Sequence, residues 1–175
     1  MPRDYEDVKQ AVLKDVAEAM CVAARTAPKT RGQDHLIIAL LKKEEKPALI
    51  AKMKELAATD DRPSLSRDAG NIEAADQVVL IGVKRAALGL DCGFCGFKTC
   101  AGLEKSGGVC VYNPMDLGIA LGSAAALASR AHVDNRLMYS IGKAALALGL
   151  LGKDAGLAIG VPLSATGKNP YFDRK

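Results

Sequence analysis

The sequence predicts one α+β domain over residues 1–175, a mixed sheet flanked by helices, and three observations lead there. Apolar residues recur at three- and four-residue spacing along several stretches, as on the buried stripe of a helix. The run QVVLIGVK is continuous, rich in β-branched residues and of strand length. Hydrophobic residues make up 49% of the chain but aromatic ones only 4%, so the core is built from small and aliphatic side chains. A chain of 175 residues buries such a core without a covalent staple.

Val8, Val12, Val16, Ala19 and Ala23 give Asp4 to Arg25 helical period, and Pro28 and Gly32 end it. After the turn from Ala27 to Asp34, Leu36 to Leu41 has strand length, and a Lys/Glu-rich helix is expected over Glu45 to Ala58. Asp60 to Ser66 reads as a polar loop. Gln77 to Lys84 is the central strand. Asn113, Pro114 and Asp116 supply an N-cap, a first-turn proline and a first-turn acid for a helix that keeps period through Leu117, Ala120, Leu121, Ala124 and Leu127 to Ala131. A further helix, with Asp134 near its start and Leu137, Ile141, Ala145 and Leu148 on one face, ends at Gly149 and Gly152. Leu157 to Val161 is the last strand. The polar stretch LSATGKNPYFDRK is read as a tail or as an arm laid over a partner subunit.

The net charge of +4 is scattered among acids, not gathered into a basic run, which argues against nucleic acid as a partner. The first twenty residues are amphipathic and acidic from the fourth, without the apolar core of a secretory signal. Leu117 to Ala128, the longest apolar stretch, is too short to span a bilayer and is broken by Gly and Ser, so no membrane association is expected.

Five cysteines is an odd number, and four of them fall in the segment 91–112. That is a poor disulfide framework and a good metal site, which places the protein in a reducing, cytoplasmic compartment. Cys92, Cys95, Cys100 and Cys110 form C-x2-C-x4-C-x9-C. Soft thiolates without His suit an iron–sulfur cubane, one thiolate per iron, or structural zinc. Gly93 and Gly96 beside the ligands let backbone N–H groups approach the sulfides, and the helix after Asn113 can aim its positive end at an anionic cluster, worth about 0.3–1 kcal/mol. Phe94 and Phe97 are placed to shield a cluster from water. The bridge AGLEKSGGV is polar, so one side of the site should lie near solvent. Cys21 reads as a small buried hydrophobe outside the site.

Cys92, Gly93, Cys95, Gly96 and Cys100 match the opening CGxCGxxxC, and the segment resembles the small four-cysteine 4Fe–4S domain of electron-transport complexes and corrinoid iron–sulfur proteins. It departs from that pattern in a shorter gap to Cys110 and in Val111 where Pro is usual. Taken end to end, AARTAPKTRG, DQVVLIGVK, the cysteine segment, HVDNRLMYSIGKAALALGLL and GVPLSATGKNPYFDRK resemble the microbial "ferredoxin domain-containing" family, which implies a 4Fe–4S cluster and leaves the reaction open.

A second likeness is to the FMN-dependent nitroreductase fold, carried by Ala24, Ala27, Pro28, Ala75, Asp76, Val78, Val79, Ala145, Leu148, Gly149, Leu150, Gly160 and Pro162. It implies a homodimer with FMN at the interface. The Arg-Ser-x-Arg start of that fold is missing, which leaves Arg25, Lys29, Arg31, Lys168 and Arg174 as candidates for the flavin phosphate by position and charge. Gly160 and Gly167-Lys168 do not make a P-loop, because the spacing is too long and Asn169 stands where Ser or Thr is required. His35 and His132 lack any partner pattern for catalysis or zinc. Two functions are therefore expected to compete: a redox protein that passes electrons through a cluster, linked or not to a flavin, and a non-enzymatic module whose zinc or cluster holds the loop in shape.

Overall fold

A computed structural model describes residues 2–172; Arg174 lies outside them. Helix α1 (Tyr5–Thr26) leads through a short 3-10 turn (Thr30–Gly32) to β1 (Leu36–Leu40), then α2 (Lys46–Thr59), α3 (Pro63–Glu73) and β2 (Gln77–Lys84). The cysteine segment follows and contains α4 (Cys100–Lys105). Then come α5 (Tyr112–Arg130), the two-residue β3 (Asp134–Asn135), α6 (Tyr139–Ala147) and β4 (Ala155–Ser164).

The sheet runs β1-β2-β4-β3 and every pairing is antiparallel, so the parallel part of the expected mixed sheet is not found among the described residues. Strand side chains alternate faces, and β2 shows why its apolar run is unbroken. Val79, Ile81 and Val83 point into one core with α1 and α5, while Val78 and Leu80 point into a second with α2, α3 and α6. The sheet is thus buried on both faces.

Close approach fixes α6 on β4. A Cβ on Gly142 would stand 1.9 Å from the carbonyl oxygen of Ala158, and one on Gly160 would stand 2.1 Å from Ile141. Two bare backbones let the helix lie directly on the strand, and Met138 bridges to Gly160 beside them.

Several elements differ from expectation. The polar stretch 60–66 already contains the start of α3, with Pro63 at a first-turn position, because Leu65 and Ile72 bury one face that local composition hides. Asp134 pairs in β3 with Ser164, and its helix starts only at Tyr139. On α1 the buried stripe is Leu13, Val16, Ala17, Met20 and Ala24, so Val8 and Val12 are turned outward at 40% and 43% exposure. The small Ala17 and Ala24 let α1 pack along α5, a choice that only the partner helix makes. The C-terminal stretch, through residue 172, lies on its own chain. Tyr171 is buried in the second core, Arg136 Nη1 donates to its carbonyl at 2.7 Å, and Asn169 Nδ2 donates to Asp134 at 2.9 Å.

Candidate metal centre and its surroundings

The segment leaves the sheet at Lys84 and returns at α5, and both ends are clamped. Buried Asn113 does not cap α5, whose N-cap is Val111. Its side chain reaches back to the strand end instead: Ala86 N donates to Asn113 Oδ1 at 3.3 Å and Asn113 Nδ2 donates to Ala86 O at 3.1 Å. The buried Asp116 carboxylate accepts from Thr30 N at 3.1 Å and Thr30 Oγ1 at 2.9 Å, tying α5 to the turn after α1. From that turn Arg31 Nη1 donates to Leu88 O at 3.1 Å.

Between these clamps all four cysteines are free thiols. Cys92 is exposed, Cys95 and Cys100 are half-buried, and Cys110 is buried with Leu88 and Leu103 in a small third core, against which Cys95 and Tyr112 pack. Cys100 opens α4. Its N–H donates to Asp91 Oδ1 at 2.6 Å, and Thr99 Oγ1 accepts from Gly102 N at 3.1 Å, so the first turn is capped from both sides. The bridge from Cys100 to Cys110 is therefore partly helical, yet apart from Leu103 it remains exposed or half-buried, as its composition requires.

Tyr112 was not singled out from the sequence. Its hydroxyl lies beside Cys92, whose charge, with burial, a hydrogen bond to Cys92 and the charge of Cys110, holds the phenol above its ordinary pKa. Its ring meets Phe94 at 6.0 Å between centroids, tilted by 56°. Phe94 is 62% exposed and Phe97 37%, so the two phenylalanines cover the thiols only in part.

Among the described residues no three His, Cys, Asp or Glu side chains are arranged to hold a metal ion. The donor chemistry nonetheless fits an iron–sulfur cluster: four soft thiols, no imidazole among them, with Cys92 and Cys110 beside Tyr112 and Cys95 packed against the same small core. Gly93 and Gly96 stand at φ 72° and 86°, with open space where a Cβ would be, which leaves the backbone free to face a bulky group. Cys21, half-buried on α1, packs against the first core, and burial pushes its thiol pKa up.

The flavin candidates fall elsewhere. Arg25 Nη1 binds Asp34 Oδ2 at 2.6 Å and Leu36 O at 3.1 Å, Lys29 Nζ donates to the carbonyls of Arg25 and Ala27, and Arg31 holds Leu88. These three cations therefore already hold their own chain together at the end of α1. Lys168 sits on the C-terminal stretch, where Thr166 Oγ1 donates to its carbonyl. Asn169 and Phe172 of that stretch line a polar cavity of about 510 Å³ with His132 and Asn135.

Residues 106–174 match the family described as "Uncharacterized protein containing a ferredoxin domain". A protein of Archaeoglobus fulgidus is 40% identical over 178 residues, 97% of this chain and 95% of its own. The chain belongs to this ferredoxin-domain family. The matched part takes in Cys110, Tyr112 and the chain after them through residue 174, while Cys92, Cys95 and Cys100 precede it. In fold the ferredoxin-domain chain is similar to a nitroreductase with bound FMN from Desulfitobacterium hafniense, with TM-score 0.57 and 20% identity over 99% of this chain and 85% of that one. It is also similar to nitroreductase A of Vibrio parahaemolyticus, with TM-score 0.56 and 12% identity over all of this chain and 64% of that one. These likenesses establish the nitroreductase fold. Among the described residues no helix is long and apolar enough to cross a membrane.

Proposed function

We propose that the chain is a cytoplasmic redox protein that binds one 4Fe–4S cluster through Cys92, Cys95, Cys100 and Cys110 and passes single electrons. The observation that carries this reading is four free thiols on one clamped segment, with Cys110 buried beneath Tyr112 and Cys92 open to solvent. Membership of a ferredoxin-domain family supports it. When bound, the cluster supplies reversible one-electron chemistry. The chain's own residues do the rest. Asp91 and Thr99 fix the start of α4 and with it the place of Cys100, Tyr112 offers its hydroxyl towards Cys92, and Leu88 and Leu103 exclude water on the Cys110 side.

The fold supports a flavin as second redox group at a homodimer interface, with Arg25, Lys29, Arg31, Lys168 and Arg174 as candidates for its phosphate. A second copy has a surface to cover: α1 exposes Val8, Val12 and Val22, and α5 exposes Met115 and Ile119 on a helix whose charged residues are only the buried Asp116 and the terminal Arg130. Light scattering should give a dimer mass, and Ile119→Glu a monomer; a wild-type monomer at all concentrations would remove the dimer from this reading.

Anaerobic purification tests the main proposal. A brown protein that carries iron and acid-labile sulfide and bleaches with dithionite is expected, with a yellow supernatant after denaturation if flavin is present. A colourless protein with stoichiometric zinc would favour the structural module instead.

A further inference from the structure

At the opposite end of β2 from the cysteines lies a cavity of about 780 Å³, between the end of β1, the first turns of α2 and the end of α3. Its volume is in the range of small-molecule sites, roughly 300–1,000 Å³. Leu41, Ile50 and Val78 give it an apolar wall, and Lys42, Lys43, Lys46 and Lys54 border it together with two acids, Glu73 and Asp76.

Both acids are already committed. Glu73 Oε1 accepts from Lys54 Nζ at 2.8 Å, and the Asp76 carboxylate accepts from Gln10 Nε2 at 2.7 Å and pairs with Lys9 at 3.5 Å. Lys46 finds no carboxylate: its ammonium donates to the carbonyls of Glu73 at 3.0 Å and Ala75 at 2.6 Å. Burial holds its pKa below the usual lysine value, opposed by the charges of Asp76 and Glu73, and the charge of Lys43 adds to the lowering. Among the described residues the ammonium groups of Lys42 and Lys43 meet no acceptor. Three cations thus share one apolar-walled cavity whose acids are spent on other partners, an arrangement that an incoming anion relieves.

We infer that this cavity binds a small organic phosphate, with the phosphate held by Lys42, Lys43 and Lys46 and the apolar body lying on Leu41, Ile50 and Val78. A phosphate dianion answers three ammonium groups better than a single carboxylate does. The site shares no residue with the cysteine segment, so it stands or falls independently of the cluster.

Calorimetry on the full chain at low salt tests it with naphthyl phosphate, naphthoate and naphthol, which share an aromatic body and differ in charge. Naphthyl phosphate should bind best and naphthol roughly tenfold or more weaker, as expected for loss of charge-assisted hydrogen bonds. Lys42→Ala/Lys43→Ala should weaken naphthyl phosphate by a similar factor with unchanged melting temperature, because both side chains are exposed. Perturbed amides should map to residues 41–51 and 73–78. Absence of binding, equal affinity for the three probes, an unaltered double variant or perturbations elsewhere would each overturn the assignment.

Discussion

In the two-faced sandwich the apolar residues of β2 have helices behind them on both faces: Val79 and Ile81 meet α1 and α5, Val78 and Leu80 meet α2, α3 and α6. Between residues 85 and 111 the only buried side chains are Leu88, Leu103 and Cys110. The sandwich is stabilised by area removed from water and needs no ligand. The cysteine segment buries too little to order itself, and is held by its clamped ends and a few side-chain hydrogen bonds. A fold of this kind would confine the cost of losing the proposed cluster to one excursion of the chain.

The largest test of that contrast is in the sheet. Ile81→Ala, at a fully buried site, should cost about 2–5 kcal/mol in denaturant unfolding. A cost below 1 kcal/mol would mean that the central strand is not the keystone described.

The clamp between the regions comes next. Asn113→Ala leaves the N–H and C=O of Ala86 without their partner, and should cost about 1–3 kcal/mol. It should also quicken hydrogen exchange over residues 85–111. Exchange that rises equally throughout the chain would show that the regions unfold as one.

Within the segment, Cys95→Ala should abolish iron content and charge-transfer absorption while leaving the melting temperature of the iron-free protein unchanged, whereas Cys21→Ala should leave the iron in place. Iron retained in Cys95→Ala would sink the ligand assignment. Exposure of the wild type to air should quicken exchange only in 91–112, and global unfolding on iron loss would erase the contrast drawn above.

The smallest effect is expected at Tyr171. Its hydroxyl is buried next to that of Ser164 without a well-formed hydrogen bond among the described residues, and burial, reinforced by the charge of Asp76, pushes the phenol well above the usual tyrosine range. The raised folded pKa means that this residue's contribution is fully present below the unfolded value, about 10, and is lost as pH rises through the folded one. Tyr171→Phe should be near neutral at pH 7 and should flatten the loss of stability above about pH 10, measured by urea unfolding across alkaline pH. An identical alkaline slope in the variant would refute this.

How much of this was legible depended on range. QVVLIGVK gave its strand boundaries without error because both faces of β2 are buried and the signal is continuous. The start of α3 was hidden because Asp61, Arg62, Ser64 and Ser66 mask a stripe that is apolar only at Leu65, Ala69 and Ile72. Asn113 was misjudged as a cap because its residue type suits a cap, while the group it satisfies, Ala86, is 27 residues away. The cysteine pattern was readable from spacing alone, but Tyr112 carries no spacing signal and became visible only beside Cys92. The lysine-bordered cavity was legible only in part: Lys42, Lys43 and Lys46 lie within five residues of one another, but Glu73, Asp76 and Val78 reach them from other elements.

The sequence by itself therefore determined what depends on neighbours a few residues apart: helical and strand periods, the glycine stops, and the four thiols with their glycine spacers. Tertiary structure alone decided which stripe of α1 faces the core, which polar side chains clamp the segment, and which cations are left without acids. Those choices depend on burial and on partners brought together from distant positions, and a hydrogen bond or a packed face has a sign only once its partner is in place.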